Sequence, residues 1–308
     1  MPSPPMQELI DAFRARRAAR LGTPAPGLGQ QRAGFAPAGT VHPVPADVKV
    51  THVSAGGVPA HWLDAPGADA GRVLLYLHGG GFRLGSLRSH GELAARLGRA
   101  AGLRVLLPEY RLAPEHPFPA AFHDVLTTWR WLRAEAPNAG SVVAGDSAGG
   151  GLSVSLLVAL RDAGETLPGA AALMSPHVDL SGSGASMTAR VDQDPLFAPG
   201  TLQQLAADYL GDADPRTPLA SPLFASLAGL PSLLILSGTA ELLLSDSERL
   251  AAAAADAGVD VTLQLGDGLP HVYPILLGTP EAAEATEQIA MFLRAHVTAS
   301  SRRAGPTA

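Results

Sequence analysis

The chain of 308 residues contains no cysteine. This absence excludes disulfides, thiolate catalysis, iron–sulfur clusters and cysteine-ligated zinc. Positive charge is also scarce, since 22 lysines and arginines face 28 aspartates and glutamates, and we therefore expect no nucleic-acid partner. No apolar run approaches the roughly 18 residues of a membrane-spanning helix, and the first residues lack the pattern of a signal peptide. We expect a cytoplasmic protein without stable membrane insertion.

What the chain does contain is an alternation of short apolar runs with helical patterns. This rhythm is typical of an α/β fold in which a mainly parallel sheet carries helices on both faces. The predicted strands include an antiparallel pair at the start and an alternating strand at the sheet edge: Val48–Val53, Val58–Leu63, Val73–Leu77, Val105–Leu107, Ser141–Ala144, Ala170–Met174, Leu233–Leu236 and Val259–Leu265. The predicted helices between and after them are Ser89–Ala101, Ala120–Ala134, Ala148–Ala163, Asp246–Ala257 and Pro280–His296.

Two segments fall outside this alternation. An amphipathic helix is predicted from Met6 to Leu21, and it suits either a membrane surface or docking on the protein itself. Docking is favoured because Glu8 and Asp11 dilute its positive charge. The following proline- and glycine-rich stretch predicts a loop. The connection between Ser175 and Pro231 is unusually long, with one clear helix over Thr201–Leu210, and such insertions are commonly lids.

The strongest local signal is Gly145-Asp146-Ser147-Ala148-Gly149, between a predicted strand and a predicted helix. This context is the one in which a nucleophilic serine occupies a strained turn, with small flanking residues where the two backbones nearly touch. An ordinary glycine-rich turn is the alternative, and a phosphate loop fails because no lysine follows. We therefore predict Ser147 as a nucleophile, with the helix N-terminus favouring an oxyanion nearby.

A second signal, His78-Gly79-Gly80-Gly81-Phe82, directly follows the strand that ends at Leu77. Consecutive glycines let backbone N–H groups point into a cavity that side chains would otherwise fill, which suits an oxyanion hole. A dinucleotide-binding loop is the alternative, but the glycine spacing misses its signature by one residue. We interpret His78 as a structural hydrogen-bonding residue rather than a base.

A serine nucleophile requires a base and an acid, which follow it in the order serine, acid, histidine on folds of this kind. Only His271 and His296 follow the last strand, and His296 lies in the terminal helix, so we predict His271 as the base. Glu241 and Asp246 are the candidate acids. We prefer Glu241 because it lies nearer its strand end. Asp246 is interpreted as a helix-dipole partner in a helix that Ser245 caps with Glu248 at the third position.

Together these motifs, with Tyr110-Arg111-Leu112-Ala113-Pro114-Glu115, Phe118-Pro119-Ala120 and Pro270-His271, resemble the hormone-sensitive-lipase-like esterases of bacterial family IV, which have the α/β-hydrolase fold. The resemblance implies a triad of Ser147, His271 and an acid, with oxyanion donors at the backbone N–H groups of Gly80, Gly81 and Ala148. One departure is the acid motif, usually Asp-Pro-Leu, which is Glu241-Leu242-Leu243 in this chain.

The resemblance also implies a domain organisation and partners. A cap would consist of residues 1–39 and the insertion 176–227, and the hydrolase core would comprise residues 40–175 and 228–308. The expected partner is a small-molecule ester of short to medium chain length, with no metal or organic cofactor. A homodimer through the edge strand is implied as well.

Other functions on the same fold remain open from the sequence. The same triad would hydrolyse a lactone, an amide or a carbamate. A non-catalytic small-molecule receptor is a further alternative, against which the presence of His271 argues.

Overall fold

The computed structural model describes residues 1–20, 22 and 26–297. Within these residues, eight strands form one sheet in the order β1-β2-β4-β3-β5-β6-β7-β8. The first two pairings are antiparallel and the others parallel, which confirms the predicted fold class. The strands are β1 Lys49–Ala55, β2 Val58–Asp64, β3 Asp69–Leu77, β4 Leu103–Pro108, β5 Gly140–Asp146, β6 Ala170–Met174, β7 Ser232–Gly238 and β8 Val261–Gly266.

Helices cover both faces of this sheet. They are α1 Pro4–Arg20, α2 Leu28–Gly34, α3 Leu87–Ala101, α4 Ala120–Glu135, α5 Ala148–Asp162, α6 Ser186–Ala189, α7 Thr201–Leu210, α8 Leu244–Asp256 and α9 Pro280–His296. Two 3₁₀ turns, Pro222–Phe224 and Tyr273–Ile275, complete the regular structure of the described residues. None of the helices that the structure describes is long and apolar enough to cross a bilayer.

The central strands supply side chains to two hydrophobic clusters, one on each face. In β3, Val73, Leu75 and Leu77 join the cluster that contains α4, α5 and α8, while Leu74 and Tyr76 join the one that contains α1, α3 and α9. This is the period of two that a strand imposes on its side chains. Because both faces are covered, the buried parts of the central strands are apolar, which is why the sequence shows them as continuous runs.

The N-terminal segment differs partly from the prediction. Met6, Ile10 and Phe13 of α1 are buried in the second cluster, which confirms that this helix docks on its own protein. The helix begins at Pro4, and Leu21, its predicted last residue, lies outside the described residues. The predicted loop that follows contains α2, seven residues long, which the glycine and proline content concealed.

The edge strand and the insertion follow the prediction closely. β8 forms the edge of the sheet beside β7, and Leu265 on it is 43% exposed. The homodimer through this edge stays a prediction. In the insertion, α7 has the predicted bounds, while α6 and the turn Pro222–Phe224 are additional.

Candidate active site

Ser147 occupies a sharp turn between β5 and α5. Its φ of 50° and ψ of −119° place a non-glycine residue in a sparsely populated region, as a strained nucleophile turn requires. The two backbones come so close that a Cβ on Gly149 would lie 2.0 Å from the carbonyl oxygen of Leu77. A Cβ on Gly145 would lie 2.4 Å from the carbonyl oxygen of Gly149. Only glycine fits at either position, which explains the spacing of the motif.

The structure brings Ser147, His271 and Glu241 into one hydrogen-bonded chain. His271 lies in the loop after β8, and its Nε2 is 2.9 Å from Ser147 Oγ. Its Nδ1 is 3.0 Å from Glu241 Oε2, in the loop after β7. With Nδ1 donating to the carboxylate, Nε2 is left to accept the serine proton. Ser147 and His271 are each 7% exposed and Glu241 is fully buried, so these three hydrogen-bonded side chains are largely shielded from water.

Glu241 is held by its own strand and by the histidine loop. The hydroxyl of Ser237 donates to Glu241 Oε1, and the backbone N–H of Ala240 donates to the carbonyl oxygen of Leu269 at 3.1 Å. Burial acts to lower the pKa of His271, but the charge and hydrogen bond of Glu241 outweigh it. The pKa of His271 therefore lies above its ordinary value, because the carboxylate stabilises the cationic imidazole.

The glycine loop after β3 lies beside this turn. Gly80 and Gly81 have φ values of 114° and 61°, and a Cβ on Gly80 would lie 2.5 Å from the carbonyl oxygen of Leu84. In the described chain, the backbone N–H groups of Gly80, Gly81 and Ala148 donate to no other protein atom. Free donors at a loop and at a helix N-terminus are the elements from which an oxyanion hole is built.

Comparison with known proteins identifies the family. Residues 74–275 match the family model described as alpha/beta hydrolase fold. A solved esterase from the bacterial hormone-sensitive lipase family has 41% identity and a TM-score of 0.90, covering 97% of this chain and 100% of its own. The chain belongs to the hormone-sensitive lipase family of α/β-hydrolase esterases.

Two further relatives of the esterase match it over most of the chain. An acetyl-hydrolase of Streptomyces hygroscopicus is 45% identical over 255 residues, 81% of this chain and 83% of the relative. The solved structure of EstE5 soaked with p-nitrophenyl butyrate has 39% identity and a TM-score of 0.89, covering 96% of this chain and 99% of that one. The esterase is thus a carboxylic ester hydrolase, and the receptor alternative is set aside.

Asp246, the other candidate acid, lies in the first turn of α8 as predicted, but the predicted cap of that helix is wrong. α8 begins at Leu244, so Ser245 lies inside the helix and does not cap it, and Glu248 is not at the third position. Asp246 is buried, and its Oδ2 accepts the backbone N–H groups of Val178 at 2.9 Å and Asp179 at 3.0 Å. Burial raises the pKa of Asp246 to about 7. Asp246 keeps its predicted place in the first turn of α8. Its contacts also tie α8 to the start of the insertion, which the sequence did not indicate.

A buried polar network behind the glycine loop escaped the sequence analysis. Asp146 Oδ1 accepts the Tyr76 hydroxyl at 2.7 Å and the Gly79 backbone N–H at 3.0 Å. The Tyr110 hydroxyl donates to the carbonyl oxygen of His78 at 2.6 Å. Burial lowers the pKa of His78 to about 4, so this ring stays neutral and structural, as interpreted. The one available signal in the sequence was the charged residue Asp146 next to the serine, at the end of a largely apolar strand.

Two further residues contact the triad from elements outside it. The phenyl ring of Phe197, in the insertion, has its centroid 5.1 Å from that of His271. His177, which follows β6, is buried, and its backbone N–H donates to the carbonyl oxygen of Ser147 at 3.0 Å. No group of three or more metal-ligating side chains occurs in the part of the chain that the structure describes.

Proposed function

We propose that the esterase hydrolyses short- to medium-chain carboxylic esters through an acyl-enzyme on Ser147. The observation that carries this proposal is the hydrogen-bonded chain from Glu241 through His271 to Ser147. In that arrangement a neutral imidazole takes the serine proton as the oxygen attacks the ester carbonyl. The base and the nucleophile are already within hydrogen-bond reach, so no rearrangement of these two side chains is needed.

The oxyanion that develops and the alcohol that leaves are each stabilised by groups at this site. The backbone N–H groups of Gly80, Gly81 and Ala148 stabilise the oxyanion of the tetrahedral intermediate. His271, now cationic and stabilised by Glu241, returns its proton to the departing alcohol. Water then enters, His271 takes its proton, and the hydroxide attacks the acyl carbonyl, which releases the acid and regenerates Ser147.

The proposed chain-length preference is supported by enclosure of the site. The rings of Phe82 and Tyr209 stack at 3.8 Å beside the glycine loop, and both residues are buried. We propose that residues 1–39 and the insertion 176–227 form the cap that encloses this region. An enclosed pocket limits the acyl chain. The naming of a relative as an acetyl-hydrolase and the p-nitrophenyl butyrate soak of another favour the same substrate class.

A panel of p-nitrophenyl esters from acetate to palmitate, with aliphatic lactones beside them, tests the substrate class. We expect kcat/KM to be highest between about two and eight acyl carbons, because the proposed cap would limit the length of the acyl chain. A maximum on long-chain esters or on lactones would contradict the proposal. Ser147→Ala serves as the matched control, and any hydrolysis that it retains is not due to the proposed nucleophile.

A further inference from the structure

The residue that follows the triad acid is bonded on both sides to the insertion. The backbone N–H of Leu242 donates to Asp194 Oδ2 at 2.9 Å, and its carbonyl oxygen accepts the hydroxyl of Ser186 at 2.5 Å. Before the acid, Ala240 is bonded to Leu269 in the histidine loop. The backbone that carries Glu241 is therefore fixed at one end by the histidine loop and at the other by the insertion.

Asp194 is the unusual member of this arrangement because it is a fully buried carboxylate. Its Oδ1 accepts the backbone N–H groups of Leu196 at 2.7 Å and Phe197 at 2.9 Å, a local turn that aspartate commonly makes. Its bond to Leu242 spans 48 residues and has no such local reason. A charged group is costly to bury unless it is hydrogen-bonded, and these three donors offset that cost.

Asp194 is also connected to the N-terminal helix and to the ring of the triad histidine. A guanidinium nitrogen of Arg17 in α1 donates to its backbone carbonyl oxygen. The turn that it closes carries Phe197, whose ring packs against that of His271. Three separate stretches of the chain thus meet at this one residue, next to the acid loop.

We propose that Asp194 is a positioning residue for the triad acid: by fixing the N–H of Leu242 it holds the backbone from which Glu241 reaches His271. The inference rests on the proposed function, since it assigns no new chemistry and no contact with substrate. It makes the alignment of the triad depend on the insertion, and through Arg17 on α1. The insertion then contributes to kcat as well as enclosing the substrate.

Electrostatics give this position a second effect. The titratable groups facing His271 are Glu241, Asp194, Asp146 and His177. Burial raises the pKa of Asp194, and its backbone donors oppose that rise. The negative charge of Asp194 adds to that of Glu241 in raising the pKa of His271. Loss of that charge should therefore lower the pKa of the imidazole, an effect that a purely structural residue would lack.

Asp194→Asn is the decisive variant. Its Oδ1 still closes the turn to Leu196 and Phe197, but an amide N–H₂ faces the N–H of Leu242, and the bond to the acid loop is lost. We expect kcat on p-nitrophenyl acetate to fall about ten- to hundredfold, because a displacement of roughly 1 Å costs about that much. KM should stay within about twofold, and the acid limb of kcat/KM should move to lower pH.

The chain offers a matched control in Asp214. This residue also lies in the insertion, precedes a proline and accepts the backbone N–H two residues on, from Arg216 at 2.7 Å. Among the described residues it has no hydrogen bond to the acid loop. Asp214→Asn should keep wild-type kcat, KM and pH profile. An equal loss of kcat in both variants would overturn the proposal.

Arg17→Ala covers the case in which Asp194→Asn does not fold. The variant removes the hydrogen-bond donor to the Asp194 carbonyl oxygen, at a position on the surface of α1. We expect a smaller loss of kcat than in Asp194→Asn, with unchanged KM. The inference would be overturned if every variant that folds kept the wild-type kcat and pH profile. A variant whose Tm falls while its kcat and pH profile stay unchanged would overturn it as well. Failure of the proposed function is distinguishable, because it would show as hydrolysis by Ser147→Ala, whereas failure of this inference leaves Ser147→Ala inactive.

Discussion

Glu241 and His271 share a hydrogen bond of 3.0 Å between Oε2 and Nδ1, in a site where the carboxylate is fully buried. The two residues are 30 positions apart and lie in neighbouring loops, after β7 and β8. This contact distinguishes Glu241 from Asp246, whose carboxylate binds backbone groups at the start of the insertion. The acid-motif departure from Asp-Pro-Leu therefore still delivers a carboxylate to the imidazole.

Glu241→Gln should lower kcat about 10⁴-fold, as loss of the triad acid does in other serine hydrolases. The amide keeps the shape but cannot stabilise a cationic imidazole. Asp246→Asn on the same ester should retain most of the activity, since its oxygen still accepts from Val178 and Asp179. Steady-state kinetics of both folded variants check this, and an active Glu241→Gln beside an inactive Asp246→Asn would reverse the assignment.

The pH profile of kcat/KM should report the raised pKa of His271. The imidazole acts as a base only when neutral, so activity should rise with pH through a midpoint above the ordinary value of about 6.5. In Glu241→Gln the midpoint should move to lower pH, because the charge of Glu241, the largest of the effects that oppose burial, is then lost. A midpoint that is identical in the two proteins would contradict the proposed role of Glu241.

Asp246 should make stability depend on pH with a sign unusual for a carboxylate. Its pKa of about 7 in the folded protein lies above the ordinary value of about 3.9. Its favourable contribution is therefore complete below that ordinary value and is lost as pH rises through about 7. The Tm of Asp246→Asn relative to wild type should thus increase between pH 5 and pH 8. A difference that is constant or decreases over this range would exclude the raised pKa.

We expect kcat to depend on the backbone conformation of the glycine loop at Gly80, and not on the replacement of a glycine elsewhere in the chain. Gly80→Ala places a Cβ 2.5 Å from the carbonyl oxygen of Leu84 at a φ of 114°, so the loop must shift. We expect kcat to fall about 10²–10³-fold, the usual effect of losing an oxyanion donor. Gly67→Ala is the control, because it has a φ of 80° with nothing within 4 Å of the added carbon. Equal kcat in both variants would argue against an oxyanion role for this loop.

The sequence predicted those features that local patterns encode. Apolar runs gave the strands, and the pentapeptide around Ser147 gave the turn, because strand period and turn sterics act over a few residues. Chain order was enough to select His271 from ten histidines. The catalytic roles of these residues stay predictions, although the structure brings their side chains together.

What the sequence could not supply depends on contacts between distant segments. The contacts of Asp246 were not predicted because its partners lie 67 and 68 residues away, in the insertion. Asp194 carried no visible signal, since an Asp-Pro pair normally indicates only a turn. The network around Asp146 was missed for the same reason. Such hydrogen bonds form only after the sheet has brought the loops together at one edge.

Covalent trapping tests the central claim, an acyl-enzyme on Ser147, most directly. The esterase would be mixed with excess p-nitrophenyl butyrate, quenched in acid within milliseconds and analysed by intact mass and peptide mapping. We predict a burst of one equivalent of p-nitrophenol or less and a butyryl adduct on the peptide that contains Ser147. The adduct should persist longer in Glu241→Gln and be absent from Ser147→Ala. An adduct on another residue, or full turnover by Ser147→Ala, would contradict the account.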